Sequence, residues 1–208
     1  MKQYQDLLQK IINEGVEKES GRANMPNTIG ISKSDIQHDM SNGFPLLTTK
    51  EMFWKGAAIE LMWIMKGNTN IKYLVDRGVN YWNKNAYRWY EKQANSRGFD
   101  TVYKTIKDFA WAVKELGDYE VWDTQYKLGD LGKVYGYQWR NQNGTDQLAE
   151  CLEGLQGNPF SRYHIIDNWN KSDFKDMALP PCHFTLSVYC KISYFKRKVR
   201  VPRYKYSS

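Results

Sequence analysis

Cysteine is scarce in this chain: 208 residues hold only Cys151, Cys182 and Cys190. None stands in a Cys-x-x-Cys pair, and with three scattered histidines they make no recognisable zinc spacing. An odd, sparse set fits a reducing compartment better than a disulfide framework. Long apolar runs are missing too. The greasiest stretch, Gly56 to Met65, is too short to span a bilayer and carries Glu60. The first residues, Met1-Lys2-Gln3-Tyr4-Gln5-Asp6, have no signal-peptide core. The sequence therefore reads as soluble, with a cytoplasmic location expected and no membrane partner.

Acid is absent from residues 191–208, which carry Lys191, Lys196, Arg197, Lys198, Arg200, Arg203 and Lys205. Removing those seven from the 30 basic residues leaves 23, against 23 acidic ones, so the net charge of +7 is the charge of the tail. A globally basic nucleic-acid surface is excluded; any such contact would be non-specific and confined to this tail. Disorder is excluded by the 41% hydrophobic and 15% aromatic content.

What is present is a stiff turn, Met177-Ala178-Leu179-Pro180-Pro181-Cys182-His183-Phe184. Pro181 fixes its own φ and drives Pro180 into an extended conformation. Beyond it Leu186, Val188, Cys190 and Ile192 alternate with Thr185, Ser187, Tyr189 and Lys191, the period of a half-buried strand. Cys182 is thus expected at a strand mouth. An arbitrary cysteine packs as a small hydrophobe; one on a rigid turn is also placed to react.

Helical spacing recurs along the chain. Tyr4, Leu7, Leu8, Ile11 and Ile12 predict an amphipathic helix over 2–18, and residues 21–27 read as a loop. Ile59, Met62, Trp63 and Lys66 predict a helix over 53–66, stopped by Gly67. Glu60, among apolar neighbours, is either a surface residue or a carboxylate kept from water. Short helices are predicted over 70–78 and around Ile106, Phe109, Ala110 and Val113, closing near Gly117. A further helix over 145–155 is capped by Thr145 or Asp146.

Ala178-Leu179-Pro180-Pro181-Cys182-His183 resembles the nucleophile motif of the thymidylate synthase family, Ala-Leu-x-Pro-Cys-His. Gly43 to Lys50 resembles that family's Gly-Phe-Pro-Leu-x-Thr-Thr-Lys. Ile59 to Asn70 resembles its His-Glu-Leu-Leu-Trp-Phe-Leu-x-Gly-x-Thr-Asn, and Asp130 to Arg140 its Asp-Leu-Gly-x-Val-Tyr-Gly-x-Gln-Trp-Arg. Tyr81 to Ala86 is similar to x-Ile-Trp-Asp-x-Trp-Ala, with Asn85 at the second tryptophan. Ser161-Arg162-Tyr163 resembles Ser-Arg-Arg with the second arginine replaced, and the loop around Arg22 lacks the family's threonines and glycine.

The resemblance implies an α+β fold: a mixed sheet flanked by helices, packed on a second copy as a homodimer, with a variable small-domain insertion at 91–127. It covers residues 1–190; beyond Cys190 the family's later motifs are absent, so the domain is expected to be C-terminally truncated, with 191–208 a basic tail. It implies methylation of dUMP to dTMP by 5,10-methylenetetrahydrofolate, the folate acting as co-substrate and no metal taking part. Cys182 would be the nucleophile at pyrimidine C6, Glu60 the acid–base group and Tyr135 the aid to proton loss at C5. Arg22, Arg162 and His183 would bind the nucleotide, with cations favouring the reactive thiolate. Trp82 and Asn85 would line the folate site. Two alternatives stay open at this point: a dUMP or dCMP hydroxymethylase on the same scaffold, and a truncated, inactive, anion-binding fragment.

Overall fold

The computed structural model describes residues 2–21, 25–122 and 125–191. The basic segment, and the nucleic-acid contacts assigned to it, therefore lie outside the described residues except for Lys191. The chain divides into two compact units, residues 1–57 and 58–208, the division falling within one helix.

In the first unit, α1 (Lys2–Glu14) ends four residues short of the predicted stop. The Gly15 amide closes on Ile11 O at 2.8 Å, and the chain then leaves as β1 (Val16–Lys18). It pairs antiparallel with β2 (Thr28–Gly30), Val16 opposite Gly30. The β-branched Val16 and the partner strand prevail over helical spacing here. The Gly43–Lys50 motif follows a single 3₁₀ turn at Met40–Asn42 and is irregular, with Phe44 75% exposed.

α2 (Trp54–Met65) matches its prediction, and Gly67 ends it at φ +70°, a left-handed cap closed by the Gly67 amide on Ile64 O. Trp63 and Ile64 are its inward residues, whereas Met62 is 48% exposed. The helix is apolar on several sides, so periodicity alone could not choose its buried face. There follow α3 (Lys72–Val75), α4 (Asn83–Ser96), α5 (Ile106–Leu116), α6 (Tyr135–Asn141) and α7 (Gln147–Gly157). The Thr105 hydroxyl caps α5 by accepting the Asp108 amide, and Asp146 caps α7 through the Ala149 amide. α4, not foreseen, buries Ala86, Trp89, Tyr90 and Ala94 and runs unbroken through residue 91.

One core serves this unit. Trp63, Ile71, Leu74, Phe109, Leu128 and Leu131 are wholly buried, and Tyr90 packs against Phe109 and Trp122 at ring separations of 5.2 Å. Asn70 ties three loops: its amide donates to Gly117 O and Leu128 O, and its oxygen accepts the Lys72 amide.

In place of a single mixed sheet, the described residues hold two antiparallel pairs. The second joins β3 (Ile165–Asp167) to β4 (Thr185–Ser187), with Ile166 opposite Leu186. β4 is exposed throughout, Leu186 at 42%, rather than half-buried. A two-face pattern becomes half-buried only where a layer covers one face, and β3 is the partner described.

Candidate active site

Glu60 sits one turn ahead of Trp63 on α2, so its side chain lies on the flank of the buried indole. Its carboxylate has two donors from consecutive residues. The Trp82 indole N–H reaches Oε1 at 2.5 Å, and the Tyr81 hydroxyl donates to Oε2 at 3.0 Å. Trp82, which precedes α4, is 5% exposed and packs against Trp63 at 5.8 Å between centroids.

Tyr135 opens α6. Gly136 lets that helix start against the turn ending α2: a Cβ there would meet Asn68 O at 2.4 Å and Asn68 N at 2.9 Å. Close backbone approach thus fixes Tyr135 relative to Glu60. The Tyr135 ring meets Trp82 edge-on at 6.2 Å and His183 at 5.1 Å. Its hydroxyl accepts the Cys182 amide at 2.6 Å. Burial pushes the Tyr135 phenol above its ordinary value, and bonds from the Cys182 and His183 backbone oppose that rise without cancelling it.

The turn carrying Cys182 is anchored along its approach. The Ala178 amide donates to Leu131 O, the Lys133 amide to Asp176 O, and the Trp169 indole to Pro181 O at 3.0 Å. Beneath it Asp173, 4% exposed, accepts from Lys133 Nζ at 2.7 Å, Gln138 Nε2 at 3.1 Å and Asn170 Nδ2 at 2.8 Å. Burial draws the Asp173 carboxyl upward, but these donors outweigh it and hold the group below its usual range. Pro181 is buried while Cys182 is exposed. Cys151 is buried in the core, where desolvation raises its thiol, and Cys190 is half-buried.

Of the residues singled out from the sequence, Glu60, Trp82, Tyr135, Cys182 and His183 come together as a continuous chain of contacts. Arg22 lies outside the described residues. Arg162 is exposed, and Asn85 is partly buried with no side-chain hydrogen bond among the described residues. Tyr81 was missed; its signal was a polar aromatic directly ahead of Trp82, where the family pattern has isoleucine. A cavity of about 500 Å³ lined by Gln147, Glu150, Cys151 and His164 includes none of these site residues. Among the described residues no cluster of His, Cys, Asp or Glu forms a metal site, and no helix is long and apolar enough to cross a membrane.

Residues 2–204 match the model of a family described as thymidylate synthase, a match that runs past Cys190. The chain is similar to thymidylate synthase of Mycoplasma mobile, 42% identical over 191 residues, covering 91% of this chain and 62% of the relative. It is 41% identical over 193 residues to that of Mesoplasma florum, with the same coverages. Against thymidylate synthase of Phytoplasma mali it is 37% identical over 210 residues, covering all of this chain and 66% of the relative. The chain thus spans about three-fifths of the length of curated relatives it matches.

Proposed function

The chain belongs to the thymidylate synthase family, and from that premise we propose that it converts dUMP to dTMP with 5,10-methylenetetrahydrofolate as co-substrate. The observation that carries this reading is the tie between the Tyr135 hydroxyl and the Cys182 amide, beside a carboxylate held by an indole.

The exposed Cys182 thiolate forms a bond to pyrimidine C6, which makes C5 nucleophilic; that bond breaks again when the product leaves. Tyr135, whose hydroxyl is anchored on the same turn, assists loss of the C5 proton. Glu60 donates and accepts protons through water. The folate supplies both the one-carbon unit and the hydride. Residues present suit such a ring: the half-exposed Tyr81 offers aromatic surface, with the buried Trp82 beside it, and Asn85 an amide. His183, in contact with Tyr135, borders the nucleotide, and Arg22 and Arg162 would hold its phosphate.

A homodimer belongs to the same proposal. Ile165, Phe184, Leu186 and Tyr189 are 42–82% exposed along β3, β4 and their flanks, an apolar surface suited to cover by a second copy. The insertion at 91–127 and a cytoplasmic location complete the reading.

The test is labelling with 5-fluoro-dUMP in the presence of the folate, read by mass spectrometry. The adduct is expected on Cys182 alone and absent from Cys182→Ser. An adduct on Cys151 or Cys190, or none at all, overturns the reading.

A further inference from the structure

The carboxylate of Glu60 is held asymmetrically. Oε1 accepts from an indole N–H, which can only donate; Oε2 accepts from a phenol, which can donate or accept. A proton on Oε1 would face the Trp82 N–H and leave two hydrogens opposed. A proton on Oε2 is met by the Tyr81 oxygen once the hydroxyl rotates. The last torsion of a glutamate is broad, so one donor would leave the carboxylate free to swing, whereas two donors from adjacent residues fix its plane. Tyr81 is 50% exposed, so its hydroxyl rotates without disturbing the core.

We propose that Tyr81 is a positioning residue for Glu60, keeping Oε2 as the oxygen that carries the mobile proton while Trp82 holds Oε1 as an acceptor. This role rests on Glu60 being the acid–base group of the proposed reaction; the asymmetric clamp does not. Shielding of its ring, the hydrogen bond to Glu60 and the charge of Glu60 all push the Tyr81 phenol upward, so it stays protonated and able to make this switch.

The experiment compares wild type with Tyr81→Phe, which keeps the ring and removes the hydroxyl. Isotope-edited infrared spectra isolate the Glu60 band by subtracting Glu60→Gln. The carboxylate stretch is expected to move to higher frequency in Tyr81→Phe, and the carboxylic acid band at acid pH to move as well, since both forms bond to Tyr81. In turnover, kcat is expected to fall about 10-fold with KM for dUMP unchanged, because proton transfer suffers and nucleotide binding does not. In a Glu60→Gln background Tyr81→Phe should cost nothing further. Unmoved infrared bands overturn the proposal whatever the kinetics; moved bands with an unchanged kcat overturn the positioning role. A wild-type chain without turnover sinks the proposed function instead, and the infrared bands then decide on the clamp alone.

Discussion

Replacing Asp173 by Asn keeps the shape of the side chain and removes its charge. The amide has one acceptor oxygen, so either Lys133 now faces an NH2 group or Gln138 and Asn170 do. Facing Lys133 is the cheaper choice, because that side chain is 35% exposed and keeps Asp176 at 3.6 Å. A hydrogen bond to a charged group contributes about 1.5–3 kcal/mol, and partial recovery through water and Asp176 sets the loss near ~2 kcal/mol. For a chain of this length that lowers Tm by about 4–8 °C. The pH dependence has a defined sign. The folded-state carboxyl is held low, so its stabilisation is complete above the ordinary carboxylate value and is lost as pH falls through the depressed one. The gap between wild type and Asp173→Asn should therefore be full at neutral pH and close progressively below about pH 4. Thermal unfolding followed by circular dichroism across that range is the assay. Equal melting at neutral pH, or a gap that persists undiminished in acid, refutes the reasoning.

Gly136→Ala drives a methyl into the Asn68 backbone, which has no flexible end to yield. The expected loss is about 1–3 kcal/mol in denaturant unfolding, together with slower labelling of Cys182; an unchanged midpoint counts against the close approach. Tyr135→Phe removes the acceptor for the Cys182 amide, and hydrogen exchange at that amide should accelerate about 10-fold, the equivalent of one net hydrogen bond. Exchange as slow as in wild type would mean that the turn is held elsewhere.

The helices legible in the sequence were those whose ends carry a chemical signal: Gly67 after α2, Gly117 after α5, and Asp146 ahead of α7. α4 escaped because Asn83, Asn85 and Asn95 dilute its propensity, although Ala86, Tyr90 and Ala94 stand at helical steps. The end of α1 was overrun because nothing local shows that Val16–Lys18 will find Thr28–Gly30. At the candidate site, Cys182, Tyr135, Trp82 and Glu60 were singled out by motif, but their mutual geometry was not legible. It depends on the Asn68–Gly136 contact, which joins segments far apart in the chain and leaves no periodic trace. Tyr81 was passed over because its partner lies a helix away, and a tyrosine ahead of a tryptophan reads as packing.

The bonds that build the site also set an order in time. Glu60, Tyr81 and Trp82 lie within one short span of chain, so all three partners of the clamp are synthesised early. Cys182 is made about a hundred residues after Trp82, some 5–20 s later at ordinary rates of synthesis. Its stiff turn then meets Tyr135, whose residue was synthesised well before it. The exposed Cys182 thiol thus leaves synthesis after the residues it stands beside, and the nascent chain spends little time carrying it without them.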